Sequence, residues 1–229
     1  AQAILVHAAS PVRSQPRECA TSPIRVSAAA PQAADTMTEA MLGIKGKDFV
    51  IVAADRQTSF SVIRMKDDYD KIWEVEGKLF AAGGGSADAA NFIELIEKNI
   101  RLHTLRTGLP LSTKAAANYT RNELARLLRK EPYQTDILIA GYDEDGPQLF
   151  MMDYLASCEK VNKAAHGYGA MFTFGLMDRY WKPDLNLEEA KDLIRKCIKE
   201  LEVRFVFDLG KYTVKVVDKT GIKTIDLDA

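Results

Sequence analysis

The chain has 229 residues, 47% of them apolar and 28% charged, with a formal net charge of −1. That length supports one domain with a well-buried core and at most a tail. The near-zero charge removes bulk attraction to nucleic acid or anionic lipid, and no apolar run approaches the roughly 18 residues of a membrane-spanning helix. Cys19, Cys158 and Cys197 are an odd count with no close pair, which argues against a disulfide framework and for free thiols in a reducing compartment.

Residues 1–36 hold ten alanines, four of the eight prolines, and three arginines against two acids. They show no periodicity, so they read as a disordered extension or leader of faintly transit-peptide character, with a propeptide as the next reading. Met37 is the expected natural start, and 37–229 the expected folded domain. Phe49–Ala54 (FVIVAA) is a continuous apolar run of buried-strand length. Leu79–Ala82 is a second, closed by Gly83-Gly84-Gly85.

A helical stripe follows at Phe92, Leu95, Ile96, Asn99 and Ile100, stopped by Gly108-Leu109-Pro110. Ser112 is placed to cap a second helix with Ala117, Thr120, Leu124, Leu127 and Leu128 on one face, ending before Pro132. Asp136–Gly141 and Gln148–Asp153, joined by a turn-rich acidic segment, read as a hairpin. A third helix is expected from Gly169 to about Tyr180. The fourth opens on a capping box, Asn186 with Glu189, and its stripe runs through Ala190, Leu193, Ile194, Cys197, Ile198, Leu201 and Phe205, which makes Cys197 a core residue. Tyr212–Val217 and Ile222–Ile225 close the chain as strands around a turn. Two helix pairs, each with one apolar face, alternate with strands, and the simplest packing is an α+β, four-layer α/β/β/α sandwich.

Three segments carry a family resemblance: Val50–Arg56 (VIVAADR), Gly141–Tyr154 (GYDEDGPQLFMMDY), and Ala165–Ile198 with its Gly-rich turn and the residues Asp178-Arg179-Tyr180. They resemble the beta subunits of the proteasome, within the N-terminal nucleophile hydrolases, over roughly residues 41–226. A narrower likeness rests on MKDDYDK, AAHGYGA and VVDKTGI.

The resemblance implies a sharp chemical test. In active members the nucleophile is the hydroxyl of an N-terminal Thr, freed by autolysis at a Gly-Thr bond, with its own amine as base. A Lys paired to an Asp eases ionisation of that hydroxyl, and a Gly N–H receives the oxyanion. Asp55 stands at the family's Asp, Lys71 follows at the family spacing of sixteen residues, and Gly84 matches the oxyanion-hole glycine. With one extra residue allowed in the turn Gly46-Lys47-Asp48, the nucleophile position falls on Thr38, preceded by Met37 rather than Gly. The network Ser falls on Ala170, and the Asp–Ser pair on Phe205 and Asp208, so Ala170 and Phe205 offer no hydrogen-bonding side chain and Asp208 brings a negative charge in place of a hydroxyl. Removal of Met37 would expose Thr38 as a free N-terminus, but shifted by about the 3.3 Å rise of one strand residue, and a misplacement of that order costs a hundredfold or more in rate.

No catalytic residue is therefore expected, and the retained Asp55–Lys71 pair reads as a structural strut. His166 reads as a turn or core hydrogen-bonder, Gly83–Ser86 as a close-approach turn rather than a phosphate loop, and Asp67–Asp70 as a solvated loop. No cofactor or metal is expected. The resemblance implies a non-catalytic structural subunit of the 20S core particle in cytoplasm and nucleus, serving ATP- and ubiquitin-dependent degradation. Its implied partners are ring neighbours of beta type-3 and beta type-5, alpha-ring subunits and the opposite beta ring, with assembly chaperones as further candidates. The alternatives are an active threonine endopeptidase using Thr38, and a free-standing hydrolase or binding module on the same fold.

Overall fold

The computed structural model describes residues 39–60, 63–84, 86–206 and 208–227. The expectations for the leader, Met37, Thr38, Cys19 and Gly85 lie outside these residues.

Two five-stranded antiparallel sheets stack face to face. The first has the order β10 (Lys163–His166), β1 (Met41–Lys45), β2 (Phe49–Asp55), β11 (Tyr212–Asp218) and β12 (Gly221–Ile225). The second has the order β5 (Ile72–Val75), β6 (Lys78–Gly84), β7 (Thr135–Asp143), β8 (Gly146–Met152) and β9 (Cys158–Val161). A separate hairpin pairs β3 (Thr58–Phe60) with β4 (Ile63–Lys66).

The sandwich explains why β2 reads as unbroken apolar sequence. Alternate side chains of a strand point to opposite faces, and both faces of β2 are covered. Phe49, Ile51 and Ala53 pack toward α3 (Gly169–Tyr180) and α4 (Leu187–Arg204), whereas Val50, Val52 and Ala54 meet Leu79, Leu138 and Leu149 of the second sheet. On the far side of that sheet, Phe80, Ile137 and Ile139 are covered by Phe92, Ile96 and Ile100 of α1 (Ser86–Thr107) and by Ala117 and Leu124 of α2 (Thr113–Leu127). The layers are therefore helix, sheet, sheet, helix, as the alternation of elements predicts, and the hairpin expectation is met in register, with Ile139 opposite Phe150.

Caps fix the helices where the sequence places them. The Ser112 hydroxyl accepts from the Ala115 N–H at 3.2 Å. At α4 the box is reciprocal: Asn186 Oδ1 accepts from the Glu189 N–H at 2.9 Å, and Glu189 Oε2 accepts from the Asn186 N–H at 3.1 Å. Cys197 is fully buried, and burial pushes its thiol up to about 12.

Two expectations need correction. Phe205 lies past the end of the α4 stripe: its backbone is extended, and its ring packs edge-on against Phe172 with centroids 5.7 Å apart. Asp70 is not simply solvated. Its carboxylate accepts from the Ile72 N–H at 2.9 Å and pairs with Lys215 at 2.9 Å, which anchors the entry to β5.

The turn before α3 shapes the neighbouring site. Gly167 has φ +78°, and a Cβ there would overlap the Glu39 carbonyl oxygen. Only glycine lets this turn press against the segment leading into β1. Gly167→Ala is expected to lower stability by at least about 2 kcal/mol, the combined result of strained φ and steric overlap. Urea unfolding of the purified subunit would measure it, and a loss under half that size would contradict the close-approach reading.

Candidate functional site

At one end of the sandwich, three chain segments bring their charged side chains together. Asp55 is the last residue of β2, Lys71 directly precedes β5, and Glu39 lies two residues before β1. Lys71 and Asp55 are only 2% and 1% exposed, and the Lys71 ammonium donates to Asp55 Oδ2 at 2.9 Å. The same ammonium lies 3.3 Å from Glu39 Oε1. Asp55 is further held by two backbone donors: the Ala40 N–H reaches its Oδ1 at 2.9 Å and the Gln57 N–H its Oδ2 at 3.1 Å. Both partners of the Asp55–Lys71 pair thus have the extra hydrogen bonding or charge that a buried ion pair needs.

Glu39 is the residue that the sequence reading passed over. Its Oε2 accepts from the Gly84 N–H at 2.7 Å, while its Oε1 faces Lys71. A Cβ on Gly83 would sit 2.5 Å from that Oε2, so the glycine run is what admits the carboxylate. Burial raises the Glu39 pKa, the Lys71 charge pulls it back, and the Asp55 charge raises it further. The signal was present in the numbering. Glu39 stands as far before Asp55 as Lys71 stands after it, sixteen residues each, when no extra residue is allowed in the turn.

The other candidate positions do not join this cluster. Ala170, the second residue of α3, packs against the core under α3 and α4 and has no polar side-chain atom. Phe205 packs against Leu201 and Leu209. Asp208 is exposed: its carboxylate accepts from the Gly210 N–H at 2.8 Å and its carbonyl from Arg64 at 3.0 Å. Of the two readings of His166, the core one holds: it ends β10 rather than sitting in a turn, it is buried, and it hydrogen-bonds the Ile137 backbone, with Nδ1 3.7 Å from Asp136 Oδ2 and Nε2 without a partner among the described residues.

A four-layer α/β/β/α sandwich with an Asp–Lys pair and a glycine N–H at one end is the N-terminal nucleophile hydrolase fold. Comparison with known proteins narrows the class. A family model described as Proteasome subunit matches residues 37–217. The chain is 44% identical over 187 residues to proteasome subunit beta type-2 of Oryza sativa subsp. japonica, covering 81% of this chain and 88% of that one. It is 44% identical over 196 residues to proteasome subunit beta type-2 of Dictyostelium discoideum, covering 83% and 98%. It is also 37% identical over 190 residues to proteasome subunit beta type-4 of Saccharomyces cerevisiae, covering 81% and 96%. The chain belongs to the proteasome subunit family.

Two measurements probe the electrostatics. Asp55→Ala leaves the buried Lys71 ammonium with Glu39 alone and takes the acceptor from two backbone N–H groups, and should cost about 3–5 kcal/mol. Glu39→Gln keeps an acceptor for the Gly84 N–H and removes a charge that burial opposes, so at neutral pH it should stay within about 1 kcal/mol of wild type. Equal losses in denaturant unfolding would refute this division of roles. His166 gives a pH signature. Burial is the main cause that lowers its pKa, with Asp136, the Ile137 backbone and Asp153 opposing. Its contribution to stability is therefore complete above about 6.5, the ordinary imidazole value, and is lost as pH falls toward the depressed native value. The stability difference between wild type and His166→Gln should shift in favour of the variant across that window; a pH-independent difference would rule the assignment out.

Proposed function

We propose that this chain is a non-catalytic beta-type subunit of the 20S proteasome core particle, a structural part of a threonine-type endopeptidase complex. The observation that carries the reading is the Glu39 carboxylate, which lies between the Lys71 ammonium and the Gly84 N–H.

Acyl transfer by this family, as the resemblance implies, needs a lysine charge near the attacking hydroxyl and a free N–H where the oxyanion will develop. Here the Gly84 N–H already donates to a carboxylate, and the Lys71 charge faces two carboxylates. A substrate carbonyl entering this space would place its developing negative charge beside Glu39, which repels it. Ala170 adds no hydroxyl to move a proton. The same groups suit a structural task, because the ion cluster ties the end of β2 in the first sheet to the start of β5 in the second.

The relatives bearing the beta type-2 name support a place in a beta ring. In this proposal the chain contacts two beta neighbours (of types 3 and 5), an alpha subunit and the opposite beta ring, and works in cytoplasm and nucleus. It forms part of the chamber wall and supports the active subunits beside it.

An electrophile directed at N-terminal threonine tests the absence of activity. Applied to the purified particle, it should modify the catalytic subunits and leave this chain unmodified by intact-mass analysis. An adduct at Thr38 would overturn the proposal and make the chain an active endopeptidase.

A further inference from the structure

Away from the ion cluster, a cleft of about 540 Å³ opens between the C-terminal half of α4, the start of β11 and the segment after β12. Two polar atoms there are buried without a hydrogen-bond partner among the described residues: Arg56 Nε and the Tyr212 hydroxyl. Each buried group left unpaired costs about 1–3 kcal/mol, so two at one cleft mark a surface that is unfinished in the lone chain. Burial, with the charges of Asp55, Glu202 and Asp208, pushes the Tyr212 pKa up, so the hydroxyl remains a donor.

The charge of the cleft defines what would complete it. Arg56, Arg195, Lys199 and Lys211 line it, against Glu202 and Asp226. Arg195 is already committed, to Asp192 at 2.8 Å and to the Leu227 carbonyl at 3.1 Å. Among the described residues neither Glu202 nor Asp226 forms an ion pair with Arg56, Lys199 or Lys211. Among the described residues Arg56, Lys199 and Lys211 thus line the cleft without an ion-pair partner, and Arg56 Nε and the Tyr212 hydroxyl lack an acceptor.

The geometry points to this cleft as the docking site for an acidic segment of a neighbouring subunit, one of whose carboxylates accepts from Arg56 and Tyr212 together. The inference rests on the assembly reading above. In a large permanent complex a buried Arg and Tyr are common interface anchors, and a carboxylate bridging them would satisfy both orphaned donors at once.

Carbodiimide, which joins a lysine amine directly to a carboxylate it touches, tests this on the intact particle. The expected product links Lys211 or Lys199 to an Asp or Glu of a different subunit, read by mass spectrometry. Tyr212→Phe, which keeps the ring and removes only the donor, and Arg56→Gln should each lower the salt concentration at which the particle releases the chain. Links confined to this chain's own carboxylates, with wild-type salt resistance in both variants, would overturn the inference. So would protection of the cleft lysines by inorganic phosphate in the isolated subunit without any inter-subunit link in the particle, which would assign the site to a small anion. If the chain were absent from the particle altogether, the assembly reading itself would fail; presence in the particle without the link would sink this inference alone.

Discussion

One buried ammonium organises this end of the molecule. Lys71 is held between Asp55 and Glu39, and each carboxylate is fixed in turn by backbone N–H groups, of Ala40 and Gln57 for Asp55 and of Gly84 for Glu39. Because the three residues belong to different strands or their approaches, the cluster joins both sheets. A buried charge tolerates little displacement before it loses its partner, so the ends of β1, β2, β5 and β6 must keep their mutual positions. The glycines at 83 and 167 answer the same demand from the other side, since both stand where a side chain would collide with Glu39.

This cluster also sets the electrostatics around the Gly84 N–H. An Asp–Lys pair beside a glycine N–H has the parts of a charge-stabilising site. Adding one carboxylate changes its electrostatic character, because the cation is neutralised and the donor engaged. The cleft by Arg56 and Tyr212 is governed by the same physics: among the described residues, two polar atoms kept from water there have no partner.

Much of the scaffold was legible in the sequence because its signals are local. Ser112 and Asn186 cap helices through bonds within three residues, and the stripe through Leu193, Ile194 and Cys197 repeats at the helical period. Other elements carry no such signal. β10 reads Lys-Ala-Ala-His, with no β-branched residue, and becomes a strand because it pairs with β1. The β3–β4 hairpin exposes Ile63 and Met65, 62% and 70% accessible, so neither alternation nor burial announces it. Phe205 fitted the stripe of α4 by spacing, but the helix ends before it and its ring turns to Phe172.

For the site, the sequence by itself determined which chemical groups were present and which were missing: Asp55 and Lys71 at their interval, a glycine run, and Ala170 without a hydroxyl. These are facts of residue identity, readable without coordinates. Only the tertiary structure decided what fills the space between them. Glu39 was hidden by an ambiguity of one residue in a turn, and counting cannot say which way a side chain points. Folding resolves it, because a carboxylate beside a buried ammonium and a free N–H is stabilised by both, and those two groups meet only when the sheets have stacked.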